Sequence, residues 1–323
     1  MKRDWHAYHI FYHRFDKQDS LLLDCIAPLV AEVQEKNLCK DWFFIRYWEG
    51  GPHIRLRFLD PDPLVETMIH ERITDFITAY PPKEEITRDQ YYRNHKFDGE
   101  PVDPDTLPWY PNGSIVKLPY EPEYQRYGGK DAMAISEKIF TYSSEMALKV
   151  MGESAGDLAK RLNLAMDLMI LTARCLDVRF EELAGYFKRY ADYWGGFLDQ
   201  PKEAVQKIEF TFSKQAERLV KRLAILEKIH DSQEEVPLYR IWVEQLKSAQ
   251  QSYHQLASEG KLISPISIPN KKGDQTRFAV SAIAFSQIHM TNNRLGLAPP
   301  FEHYLGYMIY LIAQHRQSSI NAS

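Results

Sequence analysis

Between residues 53 and 58 polar and apolar positions alternate strictly: His53-Ile54-Arg55-Leu56-Arg57-Phe58. Alternation at period two reads as a β-strand buried on one face. The aromatic run Trp42–Trp48 precedes it across Glu49-Gly50-Gly51-Pro52. A glycine pair between two such runs predicts a hairpin over 42–59. A two-residue turn at Gly50-Gly51 would set Arg46 directly across from Arg55. Residues 5–13 alternate more weakly and read as a strand. Residues 20–36 carry apolar positions at helical spacing, with Ser20 as the expected N-cap. Asp60-Pro61-Asp62-Pro63 opens a helix to about residue 80, which Pro81-Pro82 ends. With a further strand at 114–119 the order is β-α-β-β-α-β, the split βαβ unit of ferredoxin-like sheets. Residues 81–113, rich in Pro, Asp, Asn and Gly with scattered aromatics, read as an irregular insertion with short strands.

Beyond Gly128-Gly129 the period changes to that of helices, expected at 131–150, 155–176, 179–197, 201–230, 237–258, 275–291 and 299–316. Breaks fall at Gly152, Asp177, Pro201, Pro237 and 259–274. The expected fold is α+β: a ferredoxin-like antiparallel sheet region, 1–145, packed as one continuous unit with a mostly helical region, 146–323.

Charge sharpens one feature of this plan. His53, Arg55 and Arg57 share a strand face, and Arg46 joins them in the expected register. Like charges opposed across a sheet repel, so this face suits a bound carboxylate or phosphate gripped by guanidinium forks. A solvated face with salt bridges to Glu49 and Asp60 explains the residues equally well. The net charge of −4 over 323 residues makes the basic face local and gives no general attraction to nucleic acid. Cys25, Cys39 and Cys175 have no disulfide or zinc spacing and read as reduced, buried thiols of a cytoplasmic protein. The N-terminal residues carry no apolar signal region, and no apolar run reaches membrane-spanning length.

Two other segments concentrate polar groups. Glu121-Pro122-Glu123-Tyr124-Gln125-Arg126-Tyr127-Gly128-Gly129 suggests a strand end meeting a helix N-terminus, where backbone N–H groups can face an anion; a structural turn is the ordinary reading. His289-Met290-Thr291-Asn292-Asn293-Arg294-Leu295-Gly296 closes a helix whose earlier residues look buried. His289 there could serve as acid or base, or be a structural histidine with Arg294 capping the helix end. Neither metal-ligand spacing nor a phosphate loop or dinucleotide fingerprint occurs, so no metal or cofactor is expected.

Taken together, Trp42–Tyr47 with Gly51–Phe58, Glu123–Gly129 and His289–Gly296 resemble the thiopeptide-type bacteriocin biosynthesis domain. This is the C-terminal elimination domain of class I lantibiotic dehydratases, also found free-standing. The resemblance covers essentially the whole chain. It implies an enzyme that removes glutamate from glutamylated Ser or Thr of a ribosomally made precursor peptide, leaving dehydroalanine or dehydrobutyrine. The family's elimination residues match Arg55, Arg57, Arg126 and His289, with Arg46, His53, Tyr127, Asn293 and Arg294 as expected substrate contacts. No glutamylation domain is present, so the implied partners are the precursor, leader and core, and a separate glutamyl-tRNA-dependent glutamylation protein. Direct nucleic-acid or membrane binding is not implied, and a homodimer is compatible with it. Free-standing relatives include pyridine synthases, which perform a formal [4+2] cycloaddition and lack the full arginine and histidine set. Its retention here favours elimination over cyclisation or a non-catalytic peptide-binding role.

Overall fold

The computed structural model describes residues 3–82, 84–93, 96–97, 100–101, 103–266 and 274–321. The chain forms two compact units, Met1–Glu121 with Ser143–Ala155, and Pro122–Tyr142 with Gly156–Ser323.

The first unit holds a four-stranded antiparallel sheet of β1 (Trp5–Phe11), β2 (Asp41–Tyr47), β3 (His53–Leu59) and β4 (Ile115–Leu118), in the order β2-β3-β1-β4. This is the expected ferredoxin-like topology, with β3 inserted between β1 and β2. Tyr8, Ile10, Trp42, Phe44, Ile54, Leu56 and Phe58, which share one face, are buried. Helix α1 (Ala27–Glu35) follows β1 and helix α2 (Leu64–Ala79) follows β3; Tyr8 on this face donates its hydroxyl proton to Glu66 of α2 at 3.2 Å. Ser20 is not an N-cap. Helical geometry starts at Gln18 and passes through a π-helical turn, Leu21–Ile26, before α1. Ser20 is thus inside the helix, where its side chain makes no cap bond.

The hairpin closes differently from expectation. Tyr47 pairs with His53, Arg46 with Ile54 and Ile45 with Arg55, so the connection is the five-residue loop 48–52 instead of two glycines. The insertion holds that loop open. Gly50 donates its N–H to the Tyr92 hydroxyl at 2.7 Å and accepts from the Tyr110 N–H at 2.9 Å. A slip of one residue changes which face every side chain occupies. The insertion contains α3 (Arg88–Tyr92) and the two-residue strands Lys96–Phe97 and Glu100–Pro101.

Helix α4 (Lys130–Ser154) is divided between the units, and the second unit is otherwise helical. It contains α5 (Leu158–Cys175), α6 (Leu183–Gly195), α7 (Pro201–Ser213), α8 (Ala216–His230), α9 (Pro237–Ser258), α10 (Gln275–Arg294) and α11 (Pro299–Asn321). Gly152 lies inside α4; the break comes at Ala155-Gly156, both with positive φ. The helix expected over 201–230 is two, because Ser213 turns its hydroxyl back onto the Phe210 carbonyl at 2.8 Å and the chain turns at 214–215. Helices α6 and α11 pack closely at Gly306, where an added Cβ would come within 3.0 Å of the Tyr190 ring. A buried ion pair ties α5, α8 and α9 together: Asp167 accepts from Arg222 and Tyr239, each at 2.5 Å. Such a carboxylate is tolerable in a core only with partners of this kind. Among the described residues no helix is long and apolar enough to cross a membrane.

Candidate active site

The basic face of the first unit is built on β3. Arg55 and Arg57 share that face with Ile45 and Phe43 of β2 and with His9 and Ala7 of β1, to which they pair. Half of the expectation, a strand with one solvated face, is not met: His53 and Arg57 are buried. Aromatic rings replace water. The Arg55 guanidinium carbon lies 3.4 Å from the centre of the Tyr47 ring, and that of Arg57 lies 5.1 Å from Phe43 and 4.8 Å from Tyr120. Such cation–π contacts hold a guanidinium without neutralising it.

His53 orients Arg55. Its Nδ1–H donates to the Gly51 carbonyl at 2.8 Å, which leaves Nε2 to accept from Arg55 Nε at 3.1 Å. The sequence pattern missed His9, which stacks on His53 at 5.0 Å. Both imidazoles are kept neutral. Burial, with the adjacent arginines adding to it, lowers the pKa of His9 from 6.5 to about 2; burial also lowers that of His53 to about 3, although the Gly51 carbonyl opposes the shift. Burial likewise lowers the pKa of Arg55.

In the second unit, residues 122–129 form a turn, not a strand end, and lead into α4. Gly128 has φ +90°, and a Cβ there would stand 2.9 Å from both Ile283 and Leu262. Only glycine fits this backbone and this space. The turn places Arg126 in a groove of about 970 Å³, lined among others by Tyr186, Arg189, Tyr193, Phe278 and Phe285. Arg126 is half exposed there and meets Glu123 at 3.0 Å. One helical turn beyond Phe285 on α10 stands His289, on the same helix face. Its ring stacks on Trp194 at 4.6 Å, while neighbouring Tyr193 meets Phe285 at 5.6 Å. Tyr193 and Phe285, which line the groove with Arg126, thus adjoin Trp194 and His289 along α6 and α10.

His289 Nδ1 is 2.7 Å from Glu302 Oε1. Glu302, in the first turn of α11, is 1 % exposed. Its other oxygen accepts from the Tyr190 hydroxyl and, at 3.1 Å, from Asn292 Nδ2. Burial pushes the Tyr190 phenol well above its usual pKa, and the Glu302 carboxylate adds to this.

Several expected substrate contacts lie elsewhere. Arg46 is on the opposite sheet face because of the one-residue change of register; it bonds Asp19 at 2.6 Å and Gln18 at 3.3 Å. Tyr127 is buried, with its ring edge-on to Phe140 at 5.0 Å. Arg294, 0 % exposed, lies over Phe140 and donates to the Met290 carbonyl at 2.9 Å, so it serves the end of α10. Asn293 follows Asn292, whose Nδ2 reaches Glu302. Glu302, Tyr190 and Trp194 were not singled out from sequence. The available signal was one carboxylate, Glu302, beginning an apolar helix.

No sequence relative is found among curated proteins. Solved structures share the fold. TsrL is 20% identical with TM-score 0.71, covering 98% of this chain and 96% of its own. The pyridine synthase TbtD from thiomuracin biosynthesis is 18% identical with TM-score 0.77, covering 97% and 98%. The tRNA-dependent lantibiotic dehydratase MibB from Microbispora sp. 107891 is 17% identical with TM-score 0.56; the match covers 98% of this chain and 28% of MibB. The family model for the lantibiotic biosynthesis dehydratase C-terminal region matches residues 5–313. With a match of that length, the chain belongs to the lantibiotic biosynthesis dehydratase C-terminal family.

Proposed function

We propose that this protein eliminates glutamate from glutamylated serine or threonine side chains of a ribosomally made precursor peptide. The observation that carries this reading is His289, backed by a buried carboxylate and one helical turn from a groove lined by Arg126. β-Elimination needs a base for the Cα proton. The C–H electron pair forms the Cα=Cβ bond, the Cβ–O bond breaks, and glutamate leaves as a carboxylate. His289 moves the proton, and Arg126 stabilises the departing carboxylate. For Arg55 and Arg57 the support is the family resemblance, which makes them elimination residues, together with their aromatic surroundings within the first unit. Aromatic walls around a guanidinium strengthen its interactions with anions by excluding water.

The partners are the precursor peptide and a separate protein that installs the ester from glutamyl-tRNA. The reaction belongs in the cytoplasm, where both are made. A second reading is a formal [4+2] cycloaddition of two dehydroalanines; the end-to-end fold likeness to TbtD favours it. The test is mass spectrometry after adding the protein to a glutamylated precursor and, separately, to a bis-dehydroalanine peptide. Elimination predicts loss of the glutamyl group from the first substrate. His289→Ala should slow that step by ~10²–10⁴-fold while leaving peptide binding intact. An untouched ester with ring formation from the second substrate would establish the cyclase instead, and inertness toward both would end both readings.

A further inference from the structure

We infer that Glu302 is a positioning residue that fixes His289 in its Nδ1–H tautomer and so makes Nε2 the proton-accepting atom. The proposal rests on the elimination reading for its catalytic consequence, while the tautomer can be established independently.

An ionised carboxylate can only accept hydrogen bonds. Three groups converge on Glu302: His289 Nδ1, the Tyr190 hydroxyl and Asn292 Nδ2. An ionised Glu302 accepts from all three groups at once. The proton on the His289 ring must then sit on Nδ1, which leaves the Nε2 lone pair for the substrate. Stacking on Trp194, with 28° between the ring planes, fixes the second rotational freedom of the imidazole. The titratable groups set against this ring are Glu302 of α11 and, behind it, Tyr190 of α6. His303, the next residue of α11, turns away and donates Nδ1–H to the Ala191 carbonyl at 2.8 Å.

The step balances without a co-reactant. Nε2 takes the Cα proton and His289 becomes an imidazolium. Its positive charge lies against the Glu302 carboxylate, which keeps its own charge. Glutamate departs with the Cβ–O electron pair, and Nε2 later returns its proton to water. The same residue could not begin as an acid, because in the neutral ring Nε2 carries no proton.

The experiment combines ring-nitrogen NMR of the full chain, labelled at histidine, with elimination kinetics on a glutamylated peptide. In the wild type the His289 proton should be on Nδ1. Glu302→Gln should yield a mixed or inverted tautomer. Its kcat should fall by ~10²–10⁴-fold with KM little changed, the pattern of a lost proton acceptor. Glu302→Asp should recover part of the rate. Asn292→Ala removes one donor to the carboxylate yet leaves the His289 contact, so the Nδ1–H tautomer should persist. A wild-type spectrum with the proton on Nε2 would overturn the inference even if Glu302→Gln failed to fold. Wild-type kcat in a folded Glu302→Gln would overturn it as well. If the wild type leaves the ester intact, elimination fails as the function, and the tautomer measurement still decides the positioning role.

Discussion

Acid should loosen the first unit through His9, by an amount that follows from its burial. In the unfolded chain the imidazole titrates at about 6.5. In the folded protein burial and the neighbouring positive groups lower that to about 2. A depressed histidine pKa means the folded state prefers the neutral ring. The associated stability is fully present above pH 6.5 and is lost as the pH falls from 6.5 toward 2. At pH 5, one and a half units below the unfolded value, the loss is about 2 kcal/mol. That is a large fraction of the ~5–15 kcal/mol that holds a typical domain folded. His9→Phe keeps an aromatic ring against His53 and cannot titrate. Urea unfolding of both proteins at pH 7 and pH 5 isolates the effect, since all other groups are common. The wild type should lose about 2 kcal/mol more than the variant over this interval. NMR should also show the His9 ring of the folded protein unchanged between pH 7 and pH 5. Equal losses in the two proteins, or titration of folded His9 near 6.5, would refute the reasoning.

Arg46→Ala should leave the elimination rate unchanged and lower stability by about 1 kcal/mol, because Arg46 bonds Asp19 on the other side of the sheet; a stalled enzyme would speak against the placement. Arg55→Lys should slow elimination without unfolding the protein, since an ammonium keeps the charge but loses the planar fork stacked on Tyr47; an undiminished rate would remove Arg55 from the chemistry. Gly128→Ala should cost about 2–4 kcal/mol in urea unfolding, from a left-handed backbone and collisions with Ile283 and Leu262. Arg222→Ala should destabilise by about 3–5 kcal/mol, because it leaves the buried Asp167 charge without its guanidinium; thermal unfolding of that variant beside Asp167→Asn measures the difference.

The sequence by itself determined the local periods and, with them, most of the elements. Alternation along 53–58, prolines that open a helix at 61–63 and end it at 81–82, and helical spacing beyond residue 130 all act over a few neighbouring residues. Their outcome is the ferredoxin-like sheet and the helical second unit. The clusters of charged and polar residues around Arg55, Arg57, Arg126 and His289 were also legible there. Register was not. Whether Arg46 faces Arg55 depends on one residue in a loop, and Tyr92 and Tyr110, over forty positions away, hold that loop at Gly50. Pairings across long separations likewise decided which polar residues are exposed and which are buried. Arg294 looked like a ligand contact and became the buried end of α10, and Tyr127 became core. Glu302 could gain its role only when α11 packed against α6 and α10, since three donors from two other helices make a buried carboxylate there tolerable. Short-range sterics and periodicity are written into neighbouring residues, whereas desolvation and hydrogen-bond partnership exist only once distant segments have met.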